Sequence, residues 1–211
     1  MRETSEQPGK RERILDAAIA AFSRHGFYRT RIRDIARAAG VADGTVYLYF
    51  ANKEDLLPAI FEEVMKPYLA DLKVELARLP DPCDKLHKLM EMHLHRLGRD
   101  RGLATVFQVE LRHATRFMEI YAHGYLHDYF KIIQEILDAG RADGCLRENL
   151  DTAQASSAIF GMLDEAVTAW VVRGGEGDLS DRIDGLHDLV VHGLACTPAD
   201  EAPPAGGTPP A

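Results

Sequence analysis

The stretch TRIRDIARAAGVADGTVYLYFANKED, from Thr30 to Asp55, constrains the fold of this chain more than any other. Apolar residues recur at helical spacing on both sides of Gly40, and glycine readily takes the left-handed conformation that ends a helix. The pattern therefore predicts two short helices joined by a tight turn. The Thr30 hydroxyl is predicted to cap the first helix by accepting a hydrogen bond from an amide that has no partner within the helix.

The second helix of this stretch, predicted over residues 43–50, has one apolar and one exposed face. Val46, Tyr49 and Phe50 are spaced i, i+3 and i+4 and are predicted to point inward. The residues predicted to point outward are Gly44, Thr45, Tyr47 and Leu48. Two helices in this arrangement form a helix-turn-helix, in which the exposed face of the second helix enters the major groove of DNA.

Composition places the whole chain in the all-α class. Its 211 residues are 46% hydrophobic and 27% charged, few positions favour strands, and apolar residues recur at spacings of three and four. We predict an N-terminal three-helix DNA-binding domain over residues 1–52 and a C-terminal helical regulatory and dimerisation domain over residues 53–195. Residues 196–211 are rich in Pro, Gly and Ala and are predicted to be a disordered tail.

The net charge of −8 is unevenly distributed along the chain. The first 60 residues hold ten Lys and Arg against eight Asp and Glu, whereas the remaining residues hold fifteen against twenty-five. Residues 10–40 alone hold eight basic and three acidic side chains. A basic N-terminal module on an acidic body favours local contact with DNA phosphates and disfavours indiscriminate coating of nucleic acid.

Helical periodicity and helix breakers predict the remaining elements. The first helix covers residues 10–25, and a long helix opens at the capping pair Asn52 and Asp55 and continues through about Leu79. Pro58 and Pro67 both fall inside that helix, so a bend is predicted, most clearly near Pro67. Such a bend either transmits motion to the N-terminal module or is a static kink. Further helices are predicted over residues 83–98, 101–113, 116–140, 151–173 and 179–195.

The segment GFYRTRIRDIARAAGVADGTVYLYFANKEDLL, residues 26–57, resembles the N-terminal signature of the TetR family of transcriptional regulators almost end to end. The resemblance implies a repressor that binds double-stranded DNA through this segment. It implies DNA contacts for Thr45 and Tyr47 and phosphate contacts for Lys53, Thr30, Arg31 and Arg33. The candidate DNA-binding set also includes Asp43, Gly44 and Leu48, which lie at the start and on the predicted exposed face of the second helix. Hydroxyl and cationic groups of this kind are the usual partners of base edges and phosphate oxygens.

Two positions depart from the pattern of that family. Ala42-Asp43 stands where many relatives carry Ser-Lys, and Leu48 stands where many carry His. Asp43 is predicted to cap the second helix in place of the serine, although it also removes a cation close to phosphate. Leu48 could touch a thymine methyl group or make no contact. These departures leave the preferred bases open.

A second resemblance covers residues 106–172 and concerns the ligand. The pieces FQVELR, residues 107–112, and FGMLDE, residues 160–165, together with Trp170, resemble the acyl-CoA-responsive (FadR-like) branch of the TetR family, the repressors of fatty-acid degradation. The resemblance implies a long-chain fatty acyl-CoA as the effector that releases the protein from DNA, and no cofactor. The candidate ligand-binding residues are Phe107, Leu111, Arg112, Arg116, Tyr125, Tyr129, Phe160 and Trp170.

These candidates match the chemistry of an acyl-CoA. The apolar members would line a tunnel for the acyl chain, while Arg112 and Arg116 would meet the CoA phosphates. The aromatic residues also fit ordinary core packing, and Arg112 also fits an internal salt bridge with Asp164 or Glu165. The alternative is a repressor that responds to another hydrophobic effector, such as a drug or antibiotic. A buried carboxylate of Glu110, Asp164 or Glu165 would then serve it.

The last two predicted helices carry apolar stripes suited to a homodimer. The stripes are Ile159, Leu163, Ala166, Val167 and Trp170, and then Ile183, Leu186, Val190 and Leu194. Two such helices from each subunit would form a four-helix interface, and a twofold dimer would present two recognition helices to a palindromic operator. Either stripe could instead close the core of one subunit.

Other function classes lack their signatures. The sequence contains no Gly-x-Ser-x-Gly elbow, Gly-rich nucleotide loop, His-Glu-x-x-His pair or paired-cysteine metal site, so we predict neither an enzyme nor a metal protein. Three widely spaced cysteines fit a reducing compartment. No apolar run approaches the roughly 20 residues that span a bilayer, and the N-terminus lacks the apolar core of a signal peptide. We therefore predict a cytoplasmic protein without a membrane partner.

Overall fold

The computed structural model describes residues 9–111 and 124–194, and the regular elements of those residues are helices, which confirms the all-α class. The helices are α1 Lys10–His25, α2 Ile32–Ala39, α3 Asp43–Tyr49, α4 Leu56–Ala77, α5 Pro82–Gly98, α6 Arg101–Thr105, α7 Tyr125–Ala142, α8 Thr152–Val172 and α9 Ile183–Leu194. A π-helical turn, Val106–Glu110, continues α6, and a 3₁₀ turn, Leu179–Arg182, leads into α9.

The first three helices pack around a shared apolar core. Ile14 and Phe22 of α1, Ile35 of α2 and Val46 of α3 are fully buried. Gly40 follows α2 in the left-handed conformation, with φ 66° and ψ 37°, and its amide bonds back to carbonyl oxygens in the last turn of α2. The helix-turn-helix predicted from this spacing is therefore confirmed.

Two of the predicted helix caps are wrong. Arg31, not Thr30, occupies the N-cap of α2, because the Thr30 hydroxyl is buried and donates to the Gly26 carbonyl oxygen at 2.8 Å. Ala42 occupies the N-cap of α3, so Asp43 is already the first residue of that helix and caps nothing. In both cases the turn that precedes the helix, rather than the helix itself, decides which residue lies at its end.

The long helix α4 connects the first three helices to helices α5–α9, which we call the body. It packs against α1, α5 and α7. It begins at Leu56 rather than at Asn52, whose side-chain oxygen accepts a hydrogen bond from the Asp55 amide at 2.9 Å. Pro58 therefore lies in the first turn, where an amide has no helical partner to lose. Pro67 lies inside the helix, which continues past it.

The central helix of the body is α5, which packs against α4, α6, α7, α8 and α9. The Asp81 carboxylate caps it by accepting from the next two available amides, and Pro82 occupies its first position, where proline is favoured. Besides a row of apolar residues, α5 buries His93. This position places an imidazole in the interior of the body.

The apolar stripe that was predicted to dimerise on α8 lies inside the subunit. Leu163 and Val167 are fully buried, and Ile159, Ala166 and Trp170 are at most 7% exposed. Because α8 packs against α5, α6 and α7, this stripe closes the core of one subunit. By length and composition α8 is also the one described helix that could cross a membrane, and its apolar residues here serve the core.

Cys83 and Cys145 are far apart in the sequence but are neighbours in the fold. Their sulfur atoms are 3.9 Å apart, and neither is in a disulfide. Burial, together with the adjacent Cys145, raises the pKa of Cys83 to about 11, so that Cys83 is a protonated thiol at neutral pH. Cys196, the predicted tail and the first eight residues lie outside the described residues, and the helix predicted over residues 116–140 is described only from Tyr125 onward.

Candidate functional site

The exposed face of α3 presents the side chains that were predicted to read DNA. Tyr47 and Leu48 are 55% and 82% exposed, and Asp43 and Gly44 are open to solvent at the start of the helix. Thr45 is half-buried beside them. Large side chains so exposed on a seven-residue helix do not serve the core, so this face is available to a partner.

Tyr49 joins this face, and the prediction that it points inward is wrong. The helix ends at Tyr49, and the chain then turns the Phe50 ring into the core. Val46 and Phe50 therefore form the buried stripe, while Tyr49 is 45% exposed at its edge. Tyr49 is a further candidate for DNA contact, and its helical spacing from Val46 concealed it in the sequence.

Arg31 and Arg33 lie at the start of α2 with exposed side chains. Arg33 is 3.9 Å from the Asp34 carboxylate, a long ion pair that leaves its guanidinium open to solvent. Cations at a helix N-terminus next to the exposed face of α3 are well placed to meet phosphate groups that flank a bound base.

Thr30 and Lys53, which were also predicted to contact phosphates, have internal hydrogen-bond partners. Lys53 Nζ donates to the carbonyl oxygens of Phe27 at 2.8 Å and Thr30 at 3.1 Å, and it lies 4.3 Å from the centre of the Phe27 ring. Lys53 thus holds the loop between α1 and α2 against the segment that precedes α4. Arg31 and Arg33 are the exposed cations of the predicted set.

The body holds the same loop from the other side. Glu110, the last residue of the π-helical turn, accepts a hydrogen bond from the Phe27 amide through Oε2 at 2.9 Å. Both backbone polar groups of Phe27 are therefore bonded to charged side chains from other parts of the chain. The sequence offered Glu110 only as a possible buried carboxylate for a ligand, since nothing local links it to a residue 83 positions away.

A cavity of about 320 Å³ lies between α4, α5, the π-helical turn, α7 and α8. This volume falls within the usual range for small-molecule sites, roughly 300–1,000 Å³. Its apolar wall consists of Phe61, Val64, Met65, Leu97, Phe107, Leu111, Leu126 and Phe160. Its polar side chains are Tyr68, His93, Arg96, Gln108, Tyr129, Ser157 and Asp164. Because most of the exposed wall area is apolar, the cavity suits a ligand with a long apolar part.

The candidate ligand-binding residues that line this cavity are Phe107, Leu111, Tyr129 and Phe160. Tyr125 and Trp170 are not on its wall. The Trp170 indole instead donates to the Gly177 carbonyl oxygen at 3.0 Å, so it orders the loop that follows α8. Arg112 and Arg116 lie outside the described residues.

Sequence reasoning missed the side of the cavity formed by α4 and α5. Phe61, Met65 and Tyr68 follow one another at i, i+4 and i+7 on α4, and His93 and Leu97 are spaced i, i+4 on α5. Helical spacing of this kind was the only available signal. It does not distinguish the wall of a cavity from a close-packed core.

Two buried polar atoms on the cavity wall, Tyr68 Oη and His93 Nε2, have no hydrogen-bond partner among the described residues. The other ring nitrogen of His93, Nδ1, is 3.0 Å from the Tyr129 hydroxyl. Burial lowers the pKa of His93 to about 4, against the opposing effect of the Asp164 charge, so the ring is neutral at pH 7. An unpaired polar atom in a cavity is a place where a polar group of a ligand can bond.

The outer face of α8 and α9 is a second apolar surface. A shallow groove between the two helices is lined by residues that include Met162, Ala169 and Leu186. On the same two helices, Val172 and Leu189 are 78% and 63% exposed. We call the outer face of α8 and α9 the α8–α9 surface. Exposed apolar residues of this size suit contact with another protein surface.

Comparison with known protein families matches both parts of the chain. Residues 14–60 match the family model described as bacterial regulatory proteins, tetR family. Residues 61–193 match the model described as YsiA-like protein, C-terminal region. The two matches together cover the helix-turn-helix and the body that contains the cavity.

Individual relatives share most of the chain. The fatty acid metabolism regulator protein of Bacillus subtilis (strain 168) is 35% identical over 181 residues, which are 86% of this chain and 93% of that protein. The structure of the fatty acid degradation regulator FadR from Bacillus halodurans superposes with a TM-score of 0.84 at 37% identity, covering 90% of this chain and 98% of that one. FadR from Bacillus subtilis in complex with stearoyl-CoA superposes with a TM-score of 0.81 at 35% identity, covering 86% and 98%.

Lys53 is expected to stabilise the fold whether or not DNA is present. Replacing Lys53→Met removes the donor to two carbonyl oxygens of nearly buried residues, and we expect it to lower the free energy of unfolding by about 1–3 kcal/mol. Urea denaturation without DNA measures this change. Lys73→Met, at an exposed position of α4, is the matched control and should change the stability by less than about 0.5 kcal/mol. Equal stability of the two variants would contradict the structural role of Lys53.

Proposed function

Because the chain belongs to the TetR family of bacterial regulatory proteins, which are transcriptional regulators and not enzymes, we propose that it is a homodimeric repressor released from a palindromic operator by a long-chain fatty acyl-CoA. The observation that carries this proposal is the apolar cavity. Its lining residues include neighbours of Glu110 in the chain, and Glu110 bonds the loop that contains Phe27. In this proposal the domains have the boundaries predicted from the sequence. Residues 1–52 bind DNA, residues 53–195 bind the effector and dimerise, and residues 196–211 form a tail. Such a protein acts in the cytoplasm and requires no cofactor.

In this proposal the exposed face of α3 reads the operator. The Tyr47 hydroxyl reaches a phosphate oxygen, Thr45 bonds a base edge or a phosphate, and Leu48 touches a thymine methyl group. Arg31 and Arg33 fix the module on the backbone through phosphate contacts. Tyr47, Leu48, Arg31 and Arg33 are exposed, which supports the assignment, because a side chain buried in the core is not available to contact DNA.

Dimerisation in this proposal uses the α8–α9 surface. The α8 stripe that seemed available in the sequence is already buried, so the interface must come from the other side of that helix. The apolar groove at Met162, Ala169 and Leu186 supports this location, as does the exposure of Leu189. Two helices from each subunit would then form a four-helix interface around a twofold axis.

The effector assignment rests on the shape and chemistry of the cavity. Its aromatic and aliphatic wall suits an acyl chain, and Arg96 is an exposed cation on its lining that suits an anionic head group. Of the relatives, FadR from Bacillus subtilis was solved with stearoyl-CoA, which supports the same class of ligand for this chain. In the proposal Arg112 and Arg116 bind CoA phosphates together with Arg96.

One observation favours the alternative effector class, a cationic drug or antibiotic. Asp164 lies on the cavity wall, and a carboxylate there could pair with a cationic ligand. The other two carboxylates considered from the sequence do not line the cavity: Glu110 bonds Phe27, and Glu165 is exposed on the groove of the α8–α9 surface. Release of the operator by a cationic compound and not by an acyl-CoA would favour this alternative.

The proposed signal passes through the π-helical turn. Phe107 and Leu111 touch the ligand space, and Glu110 between them bonds the loop that precedes α2. A ligand that displaces Phe107 or Leu111 therefore acts on Glu110. Displacement of Glu110 would free the Phe27 amide and change the orientation of the DNA-reading helices.

Tyr47→Ala is expected to weaken operator binding by about 10- to 100-fold, because a central exposed ring and its hydroxyl are lost from the contact surface. Tyr47→Phe keeps the ring and is expected to lose less, about 3- to 10-fold. The operator would be a duplex selected by the protein from a random pool, and affinity would be measured by fluorescence anisotropy at one fixed salt concentration. Unchanged affinity of a folded Tyr47→Ala variant would count against α3 as the reader.

Leu189→Asp is expected to convert a dimer into a monomer, because it places a charge in the centre of an apolar interface. Val74→Asp is the matched control: Val74 is 54% exposed on α4, and its replacement should leave the dimer intact. Light scattering after size-exclusion chromatography at micromolar concentration distinguishes the two states. A monomeric wild type, or a dimeric Leu189→Asp variant, would exclude this interface.

Glu110→Ala is expected to fold and to bind the operator but to respond less to the effector. Stearoyl-CoA should lower the operator affinity of the wild type, and the factor by which it does so should fall about tenfold in Glu110→Ala, because one charged hydrogen bond no longer couples the two sites. Glu110→Gln, which keeps an acceptor oxygen, should be intermediate. The measurement is operator affinity with and without saturating stearoyl-CoA. A wild-type complex that is indifferent to stearoyl-CoA would overturn the effector, whereas an unchanged factor in Glu110→Ala would overturn only the route.

A further inference from the structure

His93 is a buried histidine whose two ring nitrogens have different surroundings. Nδ1 lies 3.0 Å from the Tyr129 hydroxyl, whereas Nε2 has no hydrogen-bond partner among the described residues. The ring centre lies 5.7 Å from that of Tyr129 and 6.2 Å from that of Phe160, so aromatic packing fixes its orientation. A buried polar atom without a hydrogen bond is unfavourable, and a ligand that supplies the missing partner gains affinity.

The burial of His93 determines which chemical group Nε2 offers. The residue is 9% exposed, and its lowered pKa keeps the ring neutral at pH 7 with a proton on only one nitrogen. When the Tyr129 hydroxyl donates to Nδ1, that proton is on Nε2. The unpaired group on the cavity wall is then an N–H donor, which requires an acceptor such as a carbonyl oxygen.

His93 lies one helical turn from an exposed part of the cavity lining. Arg96, three residues further along α5, is exposed, and so are Ser157 and Gly161 on the α8 side of the same cavity. The charged CoA moiety cannot enter an apolar cavity, so it stays at this opening while the acyl chain lies inside. The thioester carbonyl joins the two parts, and we therefore expect it to lie near His93.

We propose that His93 is the polar subsite of the effector cavity and that its Nε2–H donates a hydrogen bond to a carbonyl oxygen of the bound acyl-CoA. This inference rests on the proposed function, since it names the part of that effector which the cavity recognises. Two carbonyl groups of the acyl part have the required chemistry: the thioester carbonyl of every acyl-CoA and the 3-oxo group of an oxidised chain. The cavity would then select a ligand by two properties: the length of its apolar chain and the position of a carbonyl oxygen that His93 can bond.

The test compares three ligands on the full-length protein by isothermal titration calorimetry. Stearoyl-CoA has the thioester carbonyl, its thioether analogue S-octadecyl-CoA lacks it, and 3-oxostearoyl-CoA carries a second carbonyl. We expect the wild type to bind stearoyl-CoA about tenfold more tightly than the thioether, which corresponds to one neutral hydrogen bond. This comparison needs no mutation, so it stands even where a variant fails to fold.

The variants assign that preference to His93. In His93→Leu the preference for the thioester is expected to disappear, so that both ligands bind with about equal affinity. His93→Gln, which keeps an N–H donor, is expected to retain part of the preference. Leu97→Ala is the matched control on the same helix and the same wall. It should weaken the binding of stearoyl-CoA and of the thioether alike and leave their ratio unchanged.

The outcomes separate the subsite from the effector. A tenfold thioester preference that His93→Leu removes supports the thioester as the bonded group, and a His93-dependent preference for 3-oxostearoyl-CoA alone supports the chain carbonyl. Tight binding of all three ligands with ratios that His93→Leu does not change would overturn the subsite and leave the proposed effector in place. Failure of the wild type to bind any of the three would overturn the proposed effector and the subsite with it.

Discussion

The amide and carbonyl of Phe27 are one point at which the two halves of the molecule are joined. Glu110 from the body bonds the amide, Lys53 bonds the carbonyl oxygen, and the Phe27 ring packs on Phe22 with ring centres 5.2 Å apart. Each of the two bonds involves a charged group, and a buried backbone group that loses such a partner costs more than a surface contact does. The position of α2 and α3, which follow this loop directly, therefore depends on where the body holds Glu110.

The cavity is a place where a bound ligand could change the arrangement of the body, which a close-packed core does not provide. A ligand that binds in the cavity stabilises whichever arrangement of the surrounding side chains fits it best. Phe107 and Phe160 border this space, and Phe107 packs against Phe61 of α4 with ring centres 5.4 Å apart. A ligand in this cavity would therefore contact both α4 and the π-helical turn, and each of these elements packs against α1 of the DNA-reading module.

The sequence could be interpreted reliably where a feature depends on the conformation of a single residue. Gly40 ends α2 as predicted, because the left-handed conformation is a property of one residue. The partners of side-chain hydrogen bonds did not follow from the helical pattern: Thr30 bonds the Gly26 carbonyl oxygen, four residues earlier, instead of capping α2, and Glu110 bonds a residue 83 positions earlier. Trp170 and its stripe on α8 failed as an interface for a different reason, since an apolar stripe at helical spacing has the same pattern whether it faces its own core or a partner.

The π-helical turn explains how one short segment serves both the cavity and the loop before α2. In a regular α-helix, residues 107, 110 and 111 would share one face, since positions three and four apart are neighbours. The wider π-helical turn over Val106–Glu110 changes that spacing, so that Phe107 and Leu111 border the cavity while Glu110 faces Phe27. In the proposed route, a ligand that reshapes the turn through Phe107 would also shift the Glu110 carboxylate, which bonds the Phe27 amide.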